Sequence, residues 1–129
     1  MKRILFICVE NSCRSQIAEA FVRIHGAGRA EAYSAGSCPA GQVNQKALEV
    51  MDERGYDLRR HHSKSVGELP DREFDSAVTM GCGDRCPQVR VRERHEWEIP
   101  DPGALPLDEF RALCDLIEEK VQGLLLRLS

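Results

Sequence analysis

The chain has 129 residues, enough for one domain with a buried core. Its net charge is -3 and its charged residues are 30% of the total, which gives no basic face for nucleic acid or an anionic membrane surface. The first apolar run stops at Glu10, too short for a signal peptide or a bilayer span, so a cytoplasmic protein with no nucleic-acid or membrane partner is expected.

Ile4 to Ile7 reads as a buried strand that ends at Cys8. A helical pattern follows, from Arg14 or Ser15 to about His25, with Ile17, Ala18, Phe21, Val22 and Ile24 inward. The loop between lies at a strand's carboxyl end and a helix's amino end. Unpaired amides and the helix dipole favour an anion there. The same field favours the thiolate of Cys8, whose charge the Ser15 hydroxyl can stabilise by donating a hydrogen bond. Arg14 offers a planar fork of donors to two oxygens of a tetrahedral oxyanion. A nucleophile, an anion cradle and a charge clamp thus occupy residues 8 to 15.

Glu31 to Ala35 is expected as a short second strand ending at Gly36. Val43, Ala47, Val50 and Met51 recur at helical spacing, and Gly55 closes that helix. Residues 56 to 62 read as irregular, and Ser63 or Ser65 as the cap of a short helix before Pro70. Phe74 to Met80 is the third strand, followed by a glycine-bearing loop with Cys82 and Cys86. A charged edge strand lies within 89 to 97, then a loop with Asp101 between two prolines. The last helix starts near Pro106 and carries one apolar stripe from Leu107 to Leu128.

Strands alternating with helices predict an α/β three-layer sandwich on a four-stranded parallel sheet, one domain over residues 1–129. Such sheets bind ligands outside the strand carboxyl ends, at a topological switch point. The loops after the first, third and fourth strands meet at that edge. They bring Cys8, the pair Cys82 and Cys86, and Asp101. Six cysteines (8, 13, 38, 82, 86 and 114) in a chain of this class favour nucleophilic or redox chemistry over a disulfide scaffold.

Several runs together carry a family resemblance. They are Cys8-Val-Glu-Asn-Ser-Cys-Arg14-Ser15-Gln with Ala18-Glu19, Tyr33-Ser34-Ala35-Gly36, His62-Ser63-Lys64, Val78-Thr79-Met80 with Cys82, Cys86-Pro87, and Trp97 before Asp101-Pro102. The chain resembles the thioredoxin-coupled arsenate reductases, which are built on the low-molecular-weight protein tyrosine phosphatase fold. The resemblance implies an oxyanion site formed by Val9, Glu10, Asn11, Ser12, Cys13, Arg14 and Ser15. It implies Cys8 as the nucleophile and Asp101 as the acid. Cys82 would then attack Cys8, and Cys86 would attack Cys82. Arsenate is the implied substrate, with phosphate or sulfate as mimics, and thioredoxin or glutaredoxin the reductant. Here only three residues separate Cys82 from Cys86, where many members have six, so a small thiol or glutaredoxin could instead reduce a Cys8–Cys82 bridge. Some relatives hold potassium through an acidic residue near the position of Ser65; none stands there, though Asn11, Glu19 and Ser34 match the rest of that site, and no metal or cofactor is expected.

A phosphatase of the same fold needs only Cys8, Arg14 and Asp101, with water hydrolysing a phospho-Cys8. No aromatic residue follows Pro102 to stack on a phosphotyrosine ring. The spacing of Cys82 and Cys86, with His61, His62 and His95 elsewhere, also leaves a zinc-holding or arsenical-binding regulatory module open. Asn11 is expected to brace the loop, Cys114 to lie in the core, and Trp97 to pack. A monomer is expected.

Overall fold

The computed structural model describes residues 2–9, 11, 13–36, 40–69, 73–80, 91–100, 102 and 105–128. The order is β1 (Lys2–Cys8), α1 (Arg14–His25), β2 (Ala30–Gly36), α2 (Gln45–Glu53), β3 (Phe74–Thr79), β4 (Val91–Glu96) and α3 (Leu107–Leu128). Two short 3-10 turns, Leu58–Arg60 and Val66–Glu68, lie between α2 and β3. They occupy the stretch that reads as irregular and as a short helix.

The four strands form one sheet in the order β2-β1-β3-β4, with every described pairing parallel. Ile4, Leu5, Phe6 and Ile7 are fully buried. That is why β1 is apolar at successive positions: a central parallel strand is covered on both faces. Ile4 and Phe6 join Ile17 and Phe21 of α1, Met51 of α2, and Phe110 and Ile117 of α3 in the larger core. Leu5 and Ile7 join Ala35, Phe74 and Ala77 on the opposite face, where Leu69 packs against them. Burying each large apolar side chain contributes about 1.5–3 kcal/mol. β4 alternates between partly buried and exposed residues, as a charged edge strand does.

α2 starts later than its apolar spacing suggests. Asn44 caps it, its side-chain oxygen accepting from the amides of Lys46 and Ala47, so Val43 precedes the helix. Cys114 is buried on α3, and burial pushes its thiol up to about 12, so it stays protonated core. Trp97 is partly buried against Phe6, with ring centres 5.9 Å apart.

Because the strands are parallel, their carboxyl ends share one edge. β2 flanks β1 on one side and β3 flanks it on the other. The chain from β2 to β3 crosses over β1, which makes the carboxyl end of β1 the switch point of the sheet. Cys8 is the last residue of that strand.

Candidate active site

Cys8 is 3% exposed, and its Sγ lies 2.9 Å from Ser15 Oγ. Ser15 belongs to the first turn of α1, whose leading amides have no partner within the helix. Asn11 Nδ2 donates to the same Ser15 oxygen at 2.8 Å. That bond occupies an acceptor site on Ser15 and leaves its hydroxyl hydrogen for the sulfur. A Cys8 thiolate can only accept, so with the nucleophile ionised the chain runs Asn11 to Ser15 to Cys8.

Asn11 holds a left-handed conformation with φ of 50° and is fully buried. Asparagine tolerates this region better than most residues. Its side-chain oxygen accepts from the Lys64 amide at 2.9 Å and from Gln16 Nε2 at 3.0 Å. Because the Lys64 amide can only donate, the orientation of the Asn11 amide is fixed. Gln16 Nε2 also reaches the backbone carbonyls of Asn11 and His62, each at 2.9 Å. The loop amide expected to brace the site is thus itself braced from two sides.

The support continues outward. His61 Nδ1 lies 2.9 Å from Gln16 Oε1, which can only accept, so that nitrogen carries the proton. Its Nε2 then accepts from the Tyr56 hydroxyl at 2.6 Å. Burial lowers the His61 pKa to about 4, outweighing the opposing pull of Glu19, so the imidazole is neutral at ordinary pH. The Lys64 amide, by orienting Asn11 and through it Gln16, thus sets the polarity of the links from Tyr56 to Ser15.

Arg14 opens α1 and is 9% exposed. Its Nη1 donates to the Ile99 carbonyl at 3.1 Å, joining the cradle to the segment after β4. The bond fixes one edge of the guanidinium and leaves other N–H groups for an oxyanion. Gly36, the last residue of β2, packs under the loop. A Cβ there would stand 2.6 Å from the Val9 carbonyl oxygen and 3.0 Å from the Asn11 amide nitrogen. Gly36→Ala should therefore push the loop outward. Overpacking of this kind costs about 1–3 kcal/mol. Thermal melting should fall, and inorganic phosphate should bind more weakly; a variant with unchanged melting and unchanged phosphate affinity would show that the loop yields freely.

Glu19 is a buried, hydrogen-bonded carboxylate of α1. It is 4% exposed, accepts from Ser34 Oγ at 2.5 Å, and pairs with Arg23 Nη2 at 3.0 Å. The strand-to-helix turn after Cys8 carries Val9, Asn11, Cys13, Arg14 and Ser15, with Ser15 against Cys8 and Asn11 against Ser15. Glu10, Ser12, Cys38, Cys82, Cys86 and Asp101 lie outside the described residues. Among the described residues no cluster of three or more His, Cys, Asp or Glu could hold a metal ion.

A match to the low molecular weight phosphotyrosine protein phosphatase family spans residues 3–129. A glutaredoxin arsenate reductase of Synechocystis is 31% identical over 132 residues, covering all of both chains. The chain belongs to the arsenate reductase branch of that phosphatase family. Among solved structures, an arsenate reductase in its phosphate-binding state superposes with a TM-score of 0.90 at 31% identity, again over all of both chains. The thioredoxin-dependent arsenate reductase of Corynebacterium glutamicum gives a TM-score of 0.81 at 32% identity, covering 99% of this chain and 62% of that one.

The Cys8–Arg14 turn carries the run on which the sequence resemblance rests. Tyr56 and His61 are additions that the motif does not supply, and Gln16, which closes the quoted run, gains its role here. The sequence holds one signal for Gln16: it follows the turn directly, at the first position where a side chain on the helix can fold back over the loop. Tyr56 and His61 sit in the irregular stretch, and only tertiary contact shows their use.

Proposed function

We propose that this protein reduces arsenate to arsenite, with Cys8 as nucleophile and Cys82 and Cys86 as the thiols that carry the oxidising equivalents away. The observation that carries this reading is the hydrogen bond from the Met80 amide to the Ile7 carbonyl, 2.8 Å long. It brings the end of β3 beside the residue that precedes Cys8. Cys82 follows Met80 by two residues, and two residues of chain span at most about 7 Å. A second thiol on so short a tether suits a reductase, whereas a phosphatase has no use for it.

Arsenate is a tetrahedral oxyanion, and the amides of the 9–15 loop with the Arg14 fork suit its charge and shape. The related reductase in a phosphate-binding state supports an oxyanion of this geometry in the cradle. The Cys8 thiolate attacks arsenic, an oxygen leaves as water, and Asp101 supplies a proton to it. Cys82 then attacks the Cys8 sulfur. The sulfur–arsenic bond breaks with its electron pair passing to arsenic, which leaves as arsenite. Two thiols have become one disulfide, and arsenic has gained two electrons. Attack of Cys86 on Cys82 releases Cys8 and moves the disulfide to the Cys82–Cys86 pair.

A dithiol reductant closes the cycle. One related enzyme is named for glutaredoxin and another for thioredoxin. The test is arsenate-dependent turnover with thioredoxin and glutaredoxin systems offered separately, on the wild type and on Cys86→Ser. Wild type should turn over with at least one system. Cys86→Ser should lose the thioredoxin-driven activity, because the Cys82–Cys86 disulfide no longer forms. No arsenite from the wild type with either reductant would overturn the reading; full activity of Cys86→Ser with both would remove Cys86 from the relay.

A further inference from the structure

The chain is held on both sides of Asp101. Upstream, Arg14 Nη1 donates to the Ile99 carbonyl at 3.1 Å, and the Ile99 amide donates to the Trp97 carbonyl at 3.0 Å. Downstream, the Leu105 amide donates to the Pro102 carbonyl at 2.7 Å. The Leu105 carbonyl in turn accepts from Lys46 Nζ at 2.6 Å. A line of contacts therefore runs from Lys46 through Leu105 to Pro102, the residue bonded to Asp101.

Lys46 is a fixed point for that line. It lies in the first turn of α2, and its own amide donates to the Asn44 cap at 2.8 Å. The next residue, Ala47, is fully buried in the larger core. The base of the lysine is thus anchored, and its ammonium is committed to a backbone carbonyl. A charge-assisted bond of this kind is shorter and stronger than a neutral one. The prolines at 100 and 102 restrict the backbone next to Asp101, and Pro102 is buried. They do not set where the segment lies relative to the cradle. Arg14 of α1 sets that on one side of Asp101, and Lys46 of α2 sets it on the other.

We propose that Lys46 is a positioning residue for proton transfer: by holding the Leu105 carbonyl it sets how closely Asp101 approaches the oxygen that departs from the bound oxyanion. The proposal rests on the reading of Asp101 as the acid. In that step Asp101 gives up its proton and is left as a carboxylate. The departing oxygen leaves arsenate as water, or an aryl phosphate as a phenol. Lys46 acts only through Leu105 and Pro102.

The test is a cycle of Lys46→Met, Asp101→Asn and the double variant, read as kcat/KM for arsenate, phenyl phosphate and 2,4-dinitrophenyl phosphate. A general acid contributes about 100- to 10,000-fold, and misplacing it forfeits part of that. Lys46→Met should therefore lose about tenfold on arsenate and on phenyl phosphate, whose leaving oxygens need a proton. It should stay within about twofold on 2,4-dinitrophenyl phosphate, whose leaving group departs as a stable anion. Added to Asp101→Asn, Lys46→Met should cost less than about twofold more, because residues acting through one group are not additive. Lys46→Arg, which can still donate to the Leu105 carbonyl, should recover most of the loss. A general loosening of the fold would lower all three substrates together and would add to Asp101→Asn. Lys46→Gln, shorter and uncharged, carries the same test if the methionine variant does not fold.

Wild-type rates in Lys46→Met, an equal loss on the two aryl phosphates, or a full tenfold loss in the Asp101→Asn background would each overturn the proposal. Wild-type rates on arsenate and phenyl phosphate in Asp101→Asn would remove the acid itself, and this proposal with it. The aryl phosphate rates need no reductant, so a protein that hydrolyses them but forms no arsenite fails as a reductase while Lys46 is still judged on those rates.

Discussion

Cys82→Ser should stop arsenate reduction and spare the hydrolysis of an aryl phosphate. The two reactions share the first half of the chemistry. Each needs an oxyanion in the loop, the Cys8 thiolate and the Arg14 fork. They part after the covalent adduct forms. A phosphoryl group on Cys8 can be displaced by water with no change of oxidation state. An arsenic adduct must gain two electrons, and a serine oxygen at position 82 cannot accept a place in a disulfide. Arsenate turnover should therefore fall by about a thousandfold or more, as when a covalent step loses its reacting group. Aryl phosphate hydrolysis should stay within about a factor of two, because hydrolysis of the phosphoryl adduct uses water and not the second thiol. Both rates are read on one preparation, by arsenite formation and by release of p-nitrophenol. Unchanged arsenate turnover would exclude Cys82 from the relay. A parallel fall in both activities would place Cys82 in the fold of the loop and not in the electron path.

The parts of this site legible from residue order are those fixed by local rules. Ile4 to Ile7 announces a central strand because four successive apolar residues suit only a strand buried on both faces. The turn after Cys8 announces an anion site because a strand must become a helix there within a few residues. Gly36 is legible as the end of β2, yet its tight approach to Val9 and Asn11 is a contact between segments far apart in sequence. The same holds for Gln16, His61 and Tyr56. Their hydrogen bonds span 45 residues between Gln16 and His61, and no period or spacing encodes such a pair. Glu19 shows the same limit. A carboxylate at mid-helix can be solvated or hydrogen-bonded, and it is Arg23, Ser34 and Lys64 converging on it that decide for the second. Candidate residues for the chemistry stand out in the sequence because their type is rare and their position special. Residues that hold those in place are ordinary types, and only packing selects them.

Arg14→Lys should separate the clamp from the charge. Lysine keeps the positive charge at the start of α1 but presents a single ammonium where arginine presents a rigid fork. In the structure one edge of that fork is already committed, with Nη1 on the Ile99 carbonyl at 3.1 Å. The arginine can hold that carbonyl and still offer other N–H groups to the substrate. A lysine must choose. If it stays on Ile99 the oxyanion loses its side-chain donors; if it turns to the oxyanion, a carbonyl beside the loop loses its partner. Losing one preorganised donor to a developing negative charge typically costs about 100- to 1,000-fold in rate. kcat/KM for arsenate should drop by that factor, and aryl phosphate hydrolysis should drop with it, since both substrates place oxygens on the same fork. Phosphate affinity should weaken in step, with thermal melting little changed. This pattern is the opposite of that expected for Cys82→Ser, where one activity is lost and the other kept. A lysine variant within about threefold of wild type on both substrates would mean that the guanidinium serves the Ile99 carbonyl and not the oxyanion, a smaller effect than loss of one charge-assisted hydrogen bond to substrate would give.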